Sequence, residues 1–520
     1  MRTAHALALL AALAAAPAGA QTLRFGVGAQ VTSADPHYHN IGPNNAYSGM
    51  VYDRLIEMSP KGRPEPMLAR SWTSVKPDVW ELKLQPGVRF HDGAAFTAED
   101  VAFTFKRIPL VVNSPGSFST YLQGITSAEV VDALTLRIHT DGPSPLLPVN
   151  LTQVPIIGRG GEGKGSEAYN AGSAANGTGP FRQTDYIFGN RADLTRNDAY
   201  WGAKPHWARV DYRFITNPTG RTAAMLAGDV DIIDQVPTSD MARLKGDARV
   251  RLSEIDSLRL MYIALDRSRT GPTPFITDND GKPLDKNPLN DIRVRQALDL
   301  AIDRTAIVAR VMEGVAAGTR QMMPEGAYGW VPDLPVGKGD PALARRLLAE
   351  AGFPNGFAIT LHGPNDRYPN DARLAQAVGQ MWTRIGVKTA VEVSPYASFA
   401  TRASKQDFSA FVVSWGSSTG EPSAGLRSVL ATYNRETGMG SVNRFRYSNP
   451  AFDRGLAAAV MELDDAKRER MLQDVTRLAM NDIAMIPTHL QRNVWAMRPG
   501  LVHEARVDER SMAQDVRPAP

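Results

Sequence analysis

Residues 80–105 read WELKLQPGVRFHDGAAFTAEDVAFTF, and their hydrophobic period changes partway along the segment. Apolar and polar side chains alternate over residues 80–84 and 88–90, on either side of Pro86-Gly87, which predicts two strands joined by a turn. Thr97, followed three residues later by an acid, is typical of a helix N-terminus, and apolar residues at helical spacing follow it. The segment therefore predicts strands and a helix in close succession, and hence an α/β fold.

Strand and helix patterns also alternate downstream of this segment. Residues 181–194 and 210–215 have strand-like alternation, residues 221–226 predict a short helix, and residues 230–233 predict another strand. A strand, a helix and a strand at this spacing form a βαβ unit, which places parallel strands in the sheet.

The second half of the chain repeats this alternation. Amphipathic helices are predicted at residues 293–302, 341–351 and 371–385, and strands at residues 357–361 and 387–393. The sequence thus predicts two α/β blocks that meet near residue 255, with a β-rich insertion in the first block.

The N-terminus has the parts of a secretory signal peptide. Arg2 supplies a positive charge, residues 4–16 are apolar, and Ala18-Gly19-Ala20 is a small-residue cleavage site. The apolar run is shorter than the roughly 20 residues that span a bilayer. We therefore expect an exported chain, cleaved after Ala20, without a membrane anchor.

Composition excludes several classes of function. The 520 residues include no cysteine, so no disulfide framework, thiol nucleophile or zinc ribbon is expected. Lysine and arginine together number 58 against 54 acidic residues, for a net charge of +4, and the basic residues are dispersed. This pattern does not predict a nucleic-acid partner or an anionic membrane surface.

With these motifs in order, the chain resembles the extracellular solute-binding proteins of family 5, which serve peptide, oligopeptide and nickel importers. The resemblance is strongest at residues 80–105 and covers nearly the whole mature chain. Further matching motifs are Gly177–Phe181, Asn197–Trp201, Gly228–Asp231, Asp291–Leu298 and Leu347–Phe357.

The resemblance implies a two-lobed periplasmic binding protein fold of type II, similar to cluster C, with an extra subdomain on the first lobe. The expected boundaries are a signal peptide at 1–20, lobe I at 21–255 with a β-rich subdomain at about 56–175, lobe II at 256–488, and a C-terminal return to lobe I at 489–520. It also implies a periplasmic monomer without cofactor or catalytic activity. This monomer captures a small-molecule or peptide ligand between its lobes and delivers it to an ABC permease and ATPase complex in the inner membrane.

The segment from Ser414 to Pro422 is the first candidate ligand site. Peptide-binding relatives carry, three residues after the tryptophan that matches Trp415, an aspartate that pairs with the ligand's ammonium group, and here that position is Ser418. A serine supplies no charge, so free-amine recognition needs Glu421 or another acid. A modified peptide, an opine-like compound or another polar organic solute stays open as the ligand.

Other candidate ligand contacts lie elsewhere in the chain. Arg367 lies near the position where dipeptide-binding relatives hold the ligand's carboxylate with an arginine, a geometry suited to the guanidinium fork. The remaining candidates are side chains that would fix a ligand's orientation in a cleft, namely Asn44, Tyr47, Tyr328, Trp330 and Thr419.

Two alternative functions are weighed against the solute receptor. Residues 416–420 match the G-x-S-x-G nucleophile elbow, which would make Ser418 the nucleophile of an exported hydrolase, but residues 422–425 start a helix poorly. His37 and His39 could contribute to a metal site, and nickel receptors occur in the resembled family, so a nickel or metal-chelate receptor is the runner-up.

Overall fold

The computed structural model describes residues 22–520, except for the side chain of Ala397. The predicted signal peptide, Met1 to Ala20, lies outside the described residues.

Across the described chain the strands are β1 (Thr22–Val27), β2 (Ile56–Met58), β3 (Pro64–Pro66), β4 (Ala69–Lys76), β5 (Val79–Leu84), β6 (Ile125–Asp132), β7 (Thr135–Thr140), β8 (Phe181–Ile187), β9 (Arg191–Arg196), β10 (Arg209–Phe214), β11 (Ile232–Ile233), β12 (Arg251–Leu265), β13 (Ile276–Thr277), β14 (Ala316–Gly318), β15 (Phe357–Pro364), β16 (Val387–Ser394), β17 (Ala410–Gly416), β18 (Ile486–Met497), β19 (Leu501–His503) and β20 (Val516–Pro518).

The helices of the same part of the chain lie between these strands. They are α1 (Gly42–Val51), α2 (Ala98–Arg107), α3 (Leu147–Leu151), α4 (Ser166–Asn170), α5 (Pro218–Ala227), α6 (Met241–Lys245), α7 (Ile292–Leu300), α8 (Arg304–Ala306), α9 (Pro341–Glu350), α10 (Asp371–Arg384), α11 (Tyr396–Ser404), α12 (Ser423–Gly425), α13 (Pro450–Ala459) and α14 (Asp465–Asn481). Wider π-helical turns continue α8 over Ile307–Val311 and α12 over Leu426–Leu430.

One twelve-stranded sheet organises the described chain. Its main order is β13-β15-β17-β12-β18-β11-β1-β10-β9-β8, with β16 beside β15 and β14 beside β18. We call the part built on β1 and β8–β11 lobe I, and the part built on β13 and β15–β17 lobe II. The predicted mixture of strands and helices is confirmed, and β1 runs parallel to both β10 and β11, as a βαβ unit requires.

The long strands β12 and β18 pass from one lobe to the other. They pair antiparallel from Arg251 to Asp256 and again from Leu260 to Ile263, with a register shift between these two runs. An irregularity of this kind bends a strand and increases its local twist. The sheet therefore bends at residues 257–259, where the two lobes meet.

A separate four-stranded sheet, in the order β4-β5-β7-β6, lies within the first half of the chain. It explains a wrong prediction: Val88–Phe90 was expected to be a strand beside β5, but only Arg89 forms an isolated bridge, to Ala95. The strand β5 pairs with β4 and β7 instead. The turn predicted at Pro86-Gly87 is correct, but a local turn signal does not show that β5 pairs with β7, a strand distant in the sequence.

The core of lobe II covers both faces of its sheet. Alternate residues of β12 enter different apolar clusters: Tyr262 packs with Phe411 and Phe445, whereas Ile263 packs on the opposite face with the helices α7 and α10. A strand buried on both faces is typical of the central part of an α/β sheet.

Candidate functional site

Two adjoining cavities lie where β12 and β18 cross between the lobes. The larger, of about 550 Å³, is lined by residues 234–239 of lobe I, by residues 367–370 of lobe II, and by residues 491–495 of β18. The smaller, of about 290 Å³, is lined on one side by residues 416–418 and on the other by 507–510. Both volumes suit a small organic solute rather than a folded partner.

The lobes contact each other around these cavities. Asn370, in the left-handed region at φ 56°, donates from Nδ2 to Thr238 Oγ1 at 3.1 Å and to the Val311 carbonyl at 2.9 Å. At the other end, Gln153 Nε2 donates to the carbonyl of Ser418 at 2.8 Å. The hydrogen bonds from Asn370 to Thr238 and from Gln153 to Ser418 therefore connect lobe I to lobe II, together with an ion pair between Arg63 and Glu469 at 3.7 Å.

Arg367 of lobe II reaches the larger cavity on a well-anchored loop. Asp371, the first residue of α10, accepts hydrogen bonds from the backbone N–H groups of Arg367 and Tyr368, both at 3.0 Å. The Arg367 guanidinium lies 5.6 Å from the ring centres of both Tyr368 and Tyr396. Aromatic faces attract a guanidinium without neutralising it, so its donors stay available to an anion.

Five arginines line the larger cavity, and four of them have a carboxylate within 4.0 Å. The pairs are Arg221 with Asp234, Arg259 with Glu509, Arg373 with Glu313, and Arg492 with Asp256. Within the described residues 22–520, Arg367 has no such partner. The cavity therefore presents one uncompensated guanidinium.

An ion pair separates the two cavities, because Arg259 and Glu509 line both of them. The Arg259 Nε and Nη2 atoms donate to the two Glu509 carboxylate oxygens at 3.2 and 3.4 Å. The Glu509 charge raises the pKa of the Arg259 guanidinium. Pairs with this degree of exposure contribute about 1 kcal/mol or less to stability.

The segment around Ser418 is only partly in the cleft. Ser418 is exposed, lines the smaller cavity, and its hydroxyl accepts from Tyr121 Oη at 3.4 Å. Glu421, the acid that was expected to compensate for the missing aspartate, is buried and accepts from Arg468 Nη1 at 2.6 Å. Its carboxylate is thus neutralised inside lobe II and lines neither cavity.

Trp415 and Thr419 also lie outside the lining of both cavities. The Trp415 ring packs against the core of lobe II and over Gly425, where an ideal Cβ would lie 2.7 Å from the ring. Thr419 is buried beside Gly420, whose φ is 74° and where an added Cβ would approach the Gly62 carbonyl to 2.2 Å. This loop therefore packs tightly against the β2–β3 turn of lobe I.

The remaining four candidate residues are held by their own partners, away from both cavities. Asn44 accepts from the Thr32 N–H at 3.0 Å, and the Tyr47 hydroxyl donates to Gln183 at 2.7 Å. In lobe II, the Tyr328 hydroxyl donates to the Asp465 carbonyl at 2.8 Å, while Trp330 packs against the core.

The residues that would serve a hydrolase or a metal site have the following surroundings in the structure. Four residues separate Ser418 from the start of α12 at Ser423, so a helix does not follow the serine directly. The two histidines that follow Ser418 in the chain, His489 and His503, are buried against Thr488 and Ser253. His37 lies against the Pro155 carbonyl and Arg107, and His39 against Thr32. Residues 22–520 contain no cluster of three or more metal-ligating side chains and no helix long and apolar enough to cross a membrane.

Sequence reasoning missed Arg259, Glu509 and Asn370. Arg259 and Glu509 are 250 residues apart in the chain, and no local pattern marks either one. Asn370 precedes a predicted helix, where an ordinary cap is the usual interpretation. The fold alone brings these three residues to the cleft.

Comparison with known proteins gives a consistent result. Residues 63–437 match the family described as bacterial extracellular solute-binding proteins, family 5 Middle. Heme-binding protein A of Haemophilus influenzae is 28% identical over 474 residues, covering 85% of this chain and 82% of that protein. The dipeptide-binding protein of Escherichia coli is 26% identical over 448 residues and 80% of each chain. The structure of HbpA2 from Haemophilus parasuis superposes with a TM-score of 0.82 at 26% identity, over 96% of this chain and 100% of that one.

Proposed function

Because this chain belongs to family 5 of the bacterial extracellular solute-binding proteins, we propose that it captures a carboxylate-bearing, peptide-like or related polar organic solute between its lobes. Arg367 carries the proposal, since it is the guanidinium in the larger cavity that lacks a carboxylate partner among residues 22–520. A ligand carboxylate matches the donor fork of this side chain.

The proposed delivery route follows from the family and the predicted signal peptide. The chain is exported to the periplasm as a monomer, and its ligand-bound form docks on an ABC permease with its ATPase. The protein itself carries out no chemical step. The relatives named above are described as binding proteins, which supports this assignment.

The first experiment identifies the solute. Protein produced without residues 1–20 is denatured, and the released compounds are identified by mass spectrometry for organic and metal content. Each identified compound is then titrated in a thermal-shift assay, where a specific ligand raises the unfolding temperature in step with RT ln(1 + [L]/Kd). If the compounds that stabilise the protein lack a carboxylate or another anionic group, the proposal is wrong.

A metal chelate is the second candidate. The crystal structure of NikZ from Campylobacter jejuni with Ni(L-His) has the same fold, with a TM-score of 0.74 at 19% identity. A chelating amino acid presents a carboxylate to Arg367 in the same way as a peptide does. Recovery of nickel or another metal with the organic compound would favour this candidate.

The Arg367→Ala variant is expected to weaken solute binding by about 10- to 150-fold, because a hydrogen bond to a charged group contributes about 1.5–3 kcal/mol. The measurement is isothermal titration with the identified solute. Arg373→Ala is the matched control: this arginine also lines the larger cavity but is paired with Glu313 at 2.9 Å. Equal losses in the two variants would contradict a specific role for Arg367.

A further inference from the structure

The ion pair between Arg259 and Glu509 divides one continuous cleft. Arg259 lies in β12 at the register shift, where the sheet bends between the lobes. Glu509 comes from the C-terminal segment and has φ 65°, a left-handed backbone conformation that is uncommon for a residue with a side chain. Such backbone conformations persist where surrounding structure imposes them, and they concentrate at functional sites.

We propose that the Glu509 carboxylate binds the positively charged amine of the solute, and that the same carboxylate is paired with Arg259 in the ligand-free protein. The inference rests on the proposed function and specifies its ligand as a zwitterion. Glu509 would thus supply the negative charge that Ser418, at the position of the relatives' aspartate, does not carry.

The other acids that line the two cavities are engaged elsewhere. The side chain of Asp508 is only 5% exposed and lies 2.9 Å from Arg506 and 3.5 Å from Arg510. Asp234 accepts from the Gly28 N–H at 2.7 Å and from the Ser511 hydroxyl at 2.9 Å. Their carboxylates are therefore satisfied by the protein itself.

Glu313 pairs with Arg373 at 2.9 Å and lines only the larger cavity. Glu509 lines both cavities, and 41% of its side chain is exposed. It is thus the acid that a solute reaches from either compartment. An ammonium group in a cleft needs a counter-charge, and Glu509 supplies it.

The geometry of the pair suits an exchange of partners. Its contacts of 3.2 and 3.4 Å are long beside the 2.6 Å contact of the buried Arg468–Glu421 pair. Charge-assisted hydrogen bonds are ordinarily about 2.7–2.9 Å long, so this pair is loosely held. When an ammonium group takes its place on Glu509, the Arg259 guanidinium is released toward the cavity that also contains Arg367.

The exchange predicts selection for a free amine. The probes are an equimolar tripeptide mixture and its N-acetylated and C-amidated counterparts. The retained species are quantified by mass spectrometry after equilibration with the wild type, Glu509→Gln and Glu313→Gln. We expect the wild type and Glu313→Gln to retain free-amine peptides at least about tenfold more strongly than N-acetylated ones. Glu509→Gln should lose this preference while it keeps its unfolding temperature within a few degrees.

The outcomes separate this inference from the proposed function. If free and N-acetylated peptides are retained equally by the wild type, or if Glu509→Gln keeps the wild-type preference, the inference is overturned and the proposed function stands. If C-amidated peptides are retained as strongly as free acids, the proposed carboxylate-bearing ligand is refuted and the inference falls with it. If no peptide is retained, the inference and a peptide ligand are overturned, whereas the related polar organic solutes of the proposed function stand.

Discussion

The Asp35→Ala variant is expected to destabilise the protein by about 3–5 kcal/mol, the usual effect of removing one partner of a buried ion pair. Both oxygens of Asp35 accept from Arg107, at 2.8 and 2.6 Å, and the carboxylate is completely buried. Asp35 also accepts from the Ser166 hydroxyl at 2.8 Å. Its loss leaves the Arg107 guanidinium desolvated without a counter-charge, at the end of α2. The free energy of unfolding in urea measures the effect.

The matched control is Asp198→Ala. Asp198 also contacts basic side chains, Arg196 at 2.9 Å and Lys204 at 2.8 Å, but 70% of its side chain is exposed. Its removal is expected to leave the unfolding curve unchanged, since water replaces the lost contacts. A similar small effect for Asp35→Ala would contradict the structural role assigned to the Asp35–Arg107 pair.

Acidification from pH 7 to pH 4.5 is expected to remove stability that the buried neutral histidines supply, against an opposite contribution from the carboxyls of Asp53 and Asp515, whose pKa values burial raises to about 6 and about 7. Burial lowers the pKa of His91 to about 4, and lowers the pKa of both His489 and His503 to about 3. Each of these groups has an ordinary value of 6.5 when unfolded.

The sign follows from proton binding. Between pH 6.5 and the lowered value, the unfolded state binds a proton that the folded state does not, so stability falls as the pH falls. The stabilising effect of the neutral histidines is fully present above pH 6.5. Below pH 6.5, each histidine lowers the free energy of unfolding by up to about 1.4 kcal/mol per pH unit. The measurement is the free energy of unfolding in urea at pH 7, 6, 5 and 4.5.

A variant can assign this slope to one side chain. His489→Gln is expected to reduce the pH slope by up to one proton between pH 6 and 4.5, because His489 is fully buried and its Nε2 has no hydrogen-bond partner in the described structure. His206→Gln, at an exposed position, should leave the slope unchanged. A pH slope for His489→Gln equal to that of the wild type would show that His489 is not responsible.

Local sequence signals predicted most of the secondary structure. The helix α2 begins after Thr97, whose N–H donates to Asp100 at 2.9 Å, and α5, α9 and α10 end within one residue of their predicted ends, near glycines with positive φ. Capping and termination depend on residues within one helical turn, which a sequence shows directly. The pairing of β5 depends on a strand about 50 residues away, and its pattern contains no such information.

The candidate site was less predictable from the sequence. Arg367 and Ser418 do line the cleft, whereas Tyr47, Tyr328 and Glu421 are buried with partners of their own. A tyrosine or an acid has the same sequence pattern in a core as in a cleft. Burial is decided by the surrounding fold, so their roles in binding, like the boundaries at residues 255 and 488, stay predictions.

The passage of β12 and β18 through both lobes has a consequence for the kinetics of capture. If Arg367 on lobe II binds the solute as proposed, the groups of lobe I meet this solute in an intramolecular step, because two continuous strands keep the lobes together. Short covalent connections give effective concentrations on the order of millimolar. At such concentrations a weak contact between the lobes, such as the hydrogen bond from Asn370 to Thr238, forms more readily than it would between separate chains.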